Sequence, residues 1–116
     1  MARNGLTFEE LSLGMSAEMD RTASAQDVAL FAEVSGDDNP VHLDEAYAAG
    51  TPFKGCIAHG ILSARYISAL LGTRLPGPGA IYISQTLQYK RPVKVGALVN
   101  ARVEIVGLDG EKGRVT

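Results

Sequence analysis

A single cysteine, Cys56, stands in the whole chain, so no internal disulfide can form. No run of about 18 or more apolar residues occurs, and no helix of this sequence is expected to cross a membrane. Positive charge is not in excess either. Eleven Lys and Arg face thirteen Asp and Glu, giving a formal charge of −2. The clustered basic surface of a nucleic-acid-binding domain is missing. The first ten residues lack the apolar core and small-residue cleavage site of a secretory signal, so the expected location is cytoplasmic. Internal repeats and low-complexity tracts are also absent. What remains, in 116 residues that are 46% hydrophobic and 21% charged, is the mixture of a globular protein with room for one compact domain. So short a chain buries only a modest share of its surface, and association with a second copy would help to stabilise it.

The elements follow from periodicity and punctuation. Met15, Ala17 and Met19 alternate with Ser16, Glu18 and Asp20, the pattern of a half-exposed strand. Ser24-Ala25-Gln26-Asp27 reads as a capping box. Val28, Phe31, Ala32 and Val34 then form the apolar stripe of a helix that Gly36 ends in a left-handed conformation. Asp37 to Pro40 is a turn, with Asn39 held extended by the proline that follows it. A short helix is expected from Asp44, as its N-cap, to Gly50, and Thr51 to Gly55 is loop. From Ile57 to Leu71 the sequence is apolar around most of a helix, which therefore should be buried. Pro76-Gly77-Pro78-Gly79 breaks the chain, and beyond it the period changes to two. Ile81, Ile83, Leu87 and Tyr89 share one face of an expected strand; Val99, Ala101, Val103 and Ile105 share one face of another. Asp109-Gly110 signals a two-residue hairpin with a strand returning from Glu111 to Thr116. One buried helix followed by antiparallel strands indicates the α+β class, a curved sheet on a helix. Few strands are visible for that task, so the sheet looks incomplete at Thr116.

The densest polar cluster is Ser35-Gly36-Asp37-Asp38-Asn39-Pro40-Val41-His42-Leu43-Asp44. Asp37 and His42 stand across a rigid turn. Adding water to a double bond conjugated to a carbonyl needs a base for the water proton, a proton for the α-carbon and stabilisation of the enolate oxygen. A carboxylate (reference pKa about 3.9) and an imidazole (about 6.5) serve that chemistry near neutrality, and a water held between them has its angle of attack set. The plainer alternative is that Asp37 and Asn39 only shape the turn and His42 only caps the next helix. A metal held by His42, Asp44 and Asp38 would lack any familiar ligand spacing, and none is expected.

Ile57-Ala58-His59-Gly60 opens the apolar helix, where free N–H groups and the positive end of the helix dipole sit. Gly60 N–H could act as an oxyanion donor, or Gly60 could simply allow tight packing. His59 reads as a structural histidine bonding nearby backbone. Cys56 with His59 could suggest a nucleophile and base, yet a small buried thiol fits the apolar flanks better. Lys90, Arg91 and Lys94 surround Pro92 and could meet the phosphates of a nucleotide carrier or form a solvated loop.

Together, Phe31-Ala32, Ser35-Gly36-Asp37, Asn39-Pro40, His42, Asp44, Phe53 and Ile57-Ala58-His59-Gly60 resemble the hydratase signature of MaoC-like hot-dog proteins. Gln85 to Val93 with Gly96 resembles the strand and turn that follow in that family, so the resemblance runs from about Met15 to Ile105. It implies a hot-dog fold, a curved antiparallel sheet around a long central helix, here Ile57 to Leu71, over a single domain of residues 1–116. Members usually continue beyond the position of Thr116, so the last strand or strands are expected to be missing. The resemblance also implies a homodimer with a continuous sheet. Its activity would be (R)-specific hydration of trans-2-enoyl-CoA to (R)-3-hydroxyacyl-CoA, with the coenzyme A thioester as substrate and no metal or redox cofactor. Asp37 and His42 would activate the water, and Gly60 N–H would polarise the thioester carbonyl. Asn39 would support the motif, and Ser68 and Leu71 would line the acyl pocket. Two alternatives share these residues: a dehydratase of 3-hydroxyacyl groups on acyl-carrier protein, and a non-catalytic subunit that binds acyl thioesters.

Overall fold

The computed structural model describes residues 4–116. In order it contains a 3-10 turn at Phe8–Glu10, β1 (Ser16–Thr22), α1 (Ala25–Ser35), α2 (Pro40–Leu43), α3 (Glu45–Ala49), α4 (Gly60–Thr73), β2 (Leu98–Glu104), β3 (Leu108–Asp109) and β4 (Arg114–Val115). β1 pairs with β2, and β3 with β4. The residues group into two compact units. One holds Asp20–Arg65 with Thr86–Val99; the other draws on residues before Asp20, on Tyr66–Gln85 and on Asn100–Thr116.

In the first unit the helix caps set the frame. Ser24 Oγ accepts from Asp27 N–H at 3.1 Å, and Gly36 closes α1 at φ 81° with its N–H on Ala32 O. Val28 and Ala32 are buried, Phe31 is half-buried, but Val34 is 84% exposed, contrary to the expected stripe. Six residues after Val28 it sits roughly 240° round the helix at 100° per residue. Ala23, Val28, Ala58 and Leu62 form the core, with Phe31, Val93, Val95 and Val99 packed against it.

The central helix starts later than expected. Residues 57 and 58 are extended: Ile57 bridges Lys94 in antiparallel fashion, Ala58 N–H donates to Val93 O at 2.8 Å, and Val95 N–H donates to Cys56 O at 3.1 Å. Their backbone groups are therefore spent on a strand-like pairing, and α4 begins at Gly60. Its burial is also narrower than expected. Leu62, Tyr66 and Leu70 recur every fourth residue and are 5% exposed or less, whereas Ile61 is 55% exposed.

In the second unit Leu11, Leu75 and Ile105 make the core, with Met15, Ala17, Val103 and Val115 against them. The alternation in β2 holds, with Ala101 buried and Val99 and Val103 half-buried. Two further expectations are corrected. The β3–β4 hairpin pairs Asp109 with Arg114, so its loop spans residues 110–113 instead of two residues. Asp109 Oδ1 accepts from the N–H groups of Glu111 and Lys112, and Gly113 takes φ 64°, a conformation that favours glycine. Residues 81–90 form no strand among the described residues; Ile81, Ile83 and Tyr89 are 83%, 64% and 58% exposed. Alternation marks a segment able to form a strand, but a strand exists only where a neighbour supplies hydrogen bonds.

Candidate active site

Asp37 and His42 are brought together by short-range bonding. Asp37 follows the left-handed Gly36; its N–H donates to Ser35 Oγ (3.1 Å), and its own Oδ1 accepts from Asn39 N–H (3.3 Å). Asn39 Oδ1 in turn accepts from Val41 N–H at 3.1 Å and so caps α2, with Pro40 in the first turn. This single helical turn begins at Pro40, the last residue of the expected turn, and carries His42. Asp44 ends it and caps α3 through Tyr47 N–H at 3.1 Å.

Long-range bonds then orient the rings. His42 Nδ1 lies 2.7 Å from Ile57 O, and Ile57 N–H donates to Val41 O at 3.2 Å. His59, 2% exposed, places Nε2 at 2.9 Å from the backbone carbonyl of Asp37. The Asp37 carboxylate Oδ2 is 4.0 Å from the same nitrogen, beyond hydrogen-bond reach, so the carbonyl is the acceptor. The rings of His42 and His59 stack, with centroids 3.8 Å apart and planes at 28°. The edge of Phe31 closes on His59 at 4.7 Å.

Asp37, His42 and His59 each present one ligand-type atom, all within 4.8 Å of one another. Near-parallel rings direct their in-plane lone pairs side by side, a poor start for chelating one ion, and one nitrogen of each ring is already held by a carbonyl. Proton transfer suits the cluster better than metal binding. Asp44 has its Oδ1 engaged as the α3 cap.

A cleft of about 690 Å³ opens here, lined by Asp37, His42, Phe53, Gly60 and residues 88–93 among others. Gly60 is exposed, and as the first residue of α4 its N–H has no acceptor within the helix. The ring of Tyr89 covers its Cα: a Cβ at Gly60 would stand 3.0 Å from Tyr89 Cδ1. Of the expected site residues, Asp37, His42 and Gly60 line this cleft. Asn39 does not; it serves as the α2 cap. Ser68 and Leu71 lie further along α4, outside the lining. Tyr89 and the placement of His59 escaped the sequence reading, because nothing local links them to Gly60 and Asp37. Lys90 and Arg91 are exposed on the cleft lining. Cys56 is half-buried, and burial, followed by the neighbouring Glu45 carboxylate, pushes its thiol pKa up; a protonated thiol is a poor nucleophile.

A carboxylate and imidazoles beside a helix N-terminus, on a framework of helices and antiparallel strands, define an α+β protein with an acid–base cleft. The chain belongs to the MaoC-like family: the family described as "MaoC like domain" matches residues 10–116. It is 54% identical over 109 residues to an (R)-specific enoyl-CoA hydratase of Rhodospirillum rubrum, covering 94% of this chain and 76% of that protein. It is 51% identical to a 3-hydroxybutyryl-CoA dehydratase of Methylorubrum extorquens, covering 94% and 69%. Among solved structures, R-hydratase PhaJ1 from Pseudomonas aeruginosa aligns at TM-score 0.88 and 49% identity, over 91% of this chain and 68% of that one. The (R)-hydratase of Aeromonas caviae aligns at TM-score 0.87 and 46% identity, over 89% and 78%. The fold is the hot-dog fold.

Proposed function

We infer that this protein is a hydro-lyase that adds water to trans-2-enoyl-CoA, forming (R)-3-hydroxyacyl-CoA, with Asp37 and His42 binding the water and Gly60 N–H receiving the thioester oxygen. One observation carries the assignment of residues: the acid–base atoms of Asp37 and the two histidines lie within 4.8 Å on the cleft that Gly60 also lines. The substrate and the R configuration are supported by relatives of that name at 54% and 45% identity.

With Nδ1–H of His42 on a carbonyl, Nε2 of the neutral ring is an acceptor, as is the Asp37 carboxylate. A water donating one hydrogen to each has a lone pair free for C3 of the enoyl group. As the C3–O bond forms, the water proton passes to Asp37. The π electrons move through C2 to the thioester oxygen, where Gly60 N–H and the α4 dipole stabilise the negative charge. Collapse of the enolate takes a proton from the Asp37 carboxyl onto C2 and restores the carboxylate. Water supplies every atom added, so the balance calls for no oxidant or reductant. Lys90 and Arg91 are suited to the phosphates of coenzyme A.

The reverse reaction, dehydration of a 3-hydroxyacyl thioester, uses the same groups. A carrier-protein thioester is the second substrate to compare, since a tomato 3-hydroxyacyl-[acyl-carrier-protein] dehydratase is 34% identical. A homodimer belongs to the same reading: a second copy would cover the exposed Ile81 and Ile83, and sedimentation equilibrium measures it.

The test is crotonyl-CoA hydration, followed by loss of the conjugated thioester absorbance and chiral analysis of the product. The native protein should form the R product. Asp37→Asn should lose about 100-fold or more in kcat, the scale of a general base, while keeping its circular dichroism. Turnover of the variant near the native rate would refute the role of Asp37.

A further inference from the structure

We propose that His59 is a positioning residue of this site, its Nε2–H pinning the backbone carbonyl of Asp37 while its ring backs the imidazole of His42. The inference rests on the hydratase reading above, in which His59 touches neither water nor thioester.

His59 is 2% exposed, the one buried polar or charged residue among the described residues. Burying an imidazole costs free energy that only good bonding offsets. At a site flanked by Phe31, Ala58 and Leu62, an apolar side chain would fill the space without that cost. Nε2 has the Asp37 carbonyl at 2.9 Å, and no protein atom among the described residues bonds the buried Nδ1. A polar ring at this position is therefore better explained by the bond it makes than by the space it fills. What it accomplishes lies in the cleft. The Asp37 side chain is 53% exposed, so no packing fixes where its carboxylate points. Its direction follows from the Asn39 N–H bonded to Oδ1 and from its own backbone, held by Ser35 Oγ at the N–H and by His59 at the carbonyl. The other half of the acid–base pair, His42, is held at its edge by Ile57 O and at its face by His59. One buried ring thus joins the two groups that must share a single water, and a misplacement of about 1 Å in such a pair can cost roughly 100-fold in rate.

Two substitutions separate the two functions of the ring. His59→Phe keeps a flat ring to stack on His42 but removes the donor to Asp37. His59→Gln keeps an amide N–H close to the Nε2 position. With crotonyl-CoA as substrate, His59→Phe should lower kcat about 100-fold with KM within about threefold of native, and His59→Gln should recover to within about tenfold of native. A purely structural role would make both variants lose stability, and the apolar phenylalanine would be the better tolerated. A kcat for His59→Phe equal to or above that of His59→Gln overturns the proposal. The histidine tautomers, read from ¹⁵N chemical shifts of the unmutated protein, decide independently of folding or activity. His59 protonated on Nε2 and His42 on Nδ1 is the expected pair; a proton on Nδ1 of His59 with bare Nε2 overturns the clamp. If the native protein leaves crotonyl-CoA unchanged while the expected tautomers are found, the hydratase reading fails and the clamp on Asp37 stands.

Discussion

His42 Nδ1 and the carbonyl oxygen of Ile57 lie 2.7 Å apart, across fifteen residues of chain. A carbonyl only accepts, so the shared proton belongs to Nδ1, and the neutral ring keeps Nε2 as its acceptor. The residue just before Ala58-His59-Gly60 therefore sets the chemical state of the imidazole in the preceding motif.

This bond gives a clean substitution. His42→Asn places an amide N–H near Nδ1 and can keep the bond to Ile57 O, but it has no counterpart of Nε2. The fold should persist, with thermal unfolding within a few degrees of native, since losing a half-buried ring while the bond to Ile57 O is kept costs about 1 kcal/mol. Hydration should fall by about 100- to 10,000-fold. Steady-state kinetics beside a thermal melt check both halves; retained kcat would remove His42 from the acid–base pair.

Gly60 and Tyr89 should be energetically coupled. A Cβ at Gly60 meets Cδ1, Cε1 and Cγ of the Tyr89 ring at 3.0–3.1 Å, so Gly60→Ala must displace the ring. Tyr89 is 58% exposed and can swing away, which keeps the stability cost small. Gly60→Ala, Tyr89→Ala and the double variant form a cycle, with an expected interaction of about 0.5–1 kcal/mol in urea unfolding. Strict additivity would mean that the ring does not rest on Gly60 in solution.

Asp27 should make stability depend on acid. Arg65 Nη2 lies 3.0 Å from Asp27 Oδ2, and this bond first, then the Ser24 hydroxyl, holds the Asp27 pKa below its ordinary 3.8. A carboxyl depressed on folding binds protons more weakly when folded than unfolded. Its contribution is complete above the unfolded value, and it is lost as pH falls below 3.8 and through the folded value. The pair is about one-third exposed on each side, so solvent screening limits it to about 1 kcal/mol or less. Native protein should exceed Asp27→Asn in unfolding free energy by that amount at neutral pH, and the gap should close in acid. A gap that is constant with pH would assign the loss to something other than ionisation.

Leu62 is 4% exposed and touches the cluster of Ala23, Val28 and Ala58. Leu62→Ala should destabilise by about 2–5 kcal/mol, a transfer cost plus a cavity cost. Equilibrium urea unfolding would show it, and a change under about 1 kcal/mol would mean that the core closes around the gap.

Much of this was legible because it is local. The Ser24 and Asp44 caps, the left-handed Gly36, the alternation of Met15 to Met19 and of Val99 to Ile105 all depend on residues within a few positions of each other. So does the pairing of Asp37 with His42, joined by a turn that Asn39 and Pro40 stiffen. Other features needed partners far along the chain. Ile57 and Ala58 look helical by their apolar character, yet Val93 and Lys94 engage them as strand. Residues 81–90 alternate as a strand should, but no neighbour among the described residues pairs with them. The apolar character of α4 is spread more widely than its burial, because burial follows the neighbours of each face and composition does not report them.

By itself the sequence determined which groups could do chemistry: a carboxylate and an imidazole across a stiff turn, and a glycine at a helix start. Tertiary structure alone decided their states and surroundings. It brought Nδ1 of His42 to the Ile57 carbonyl, seated His59 between His42 and the Asp37 carbonyl, and laid Tyr89 on Gly60. The physical reason is reach. Caps and turns are completed by hydrogen bonds spanning a few residues, whereas a tautomer or an open cleft depends on which distant backbone and ring come to rest beside it.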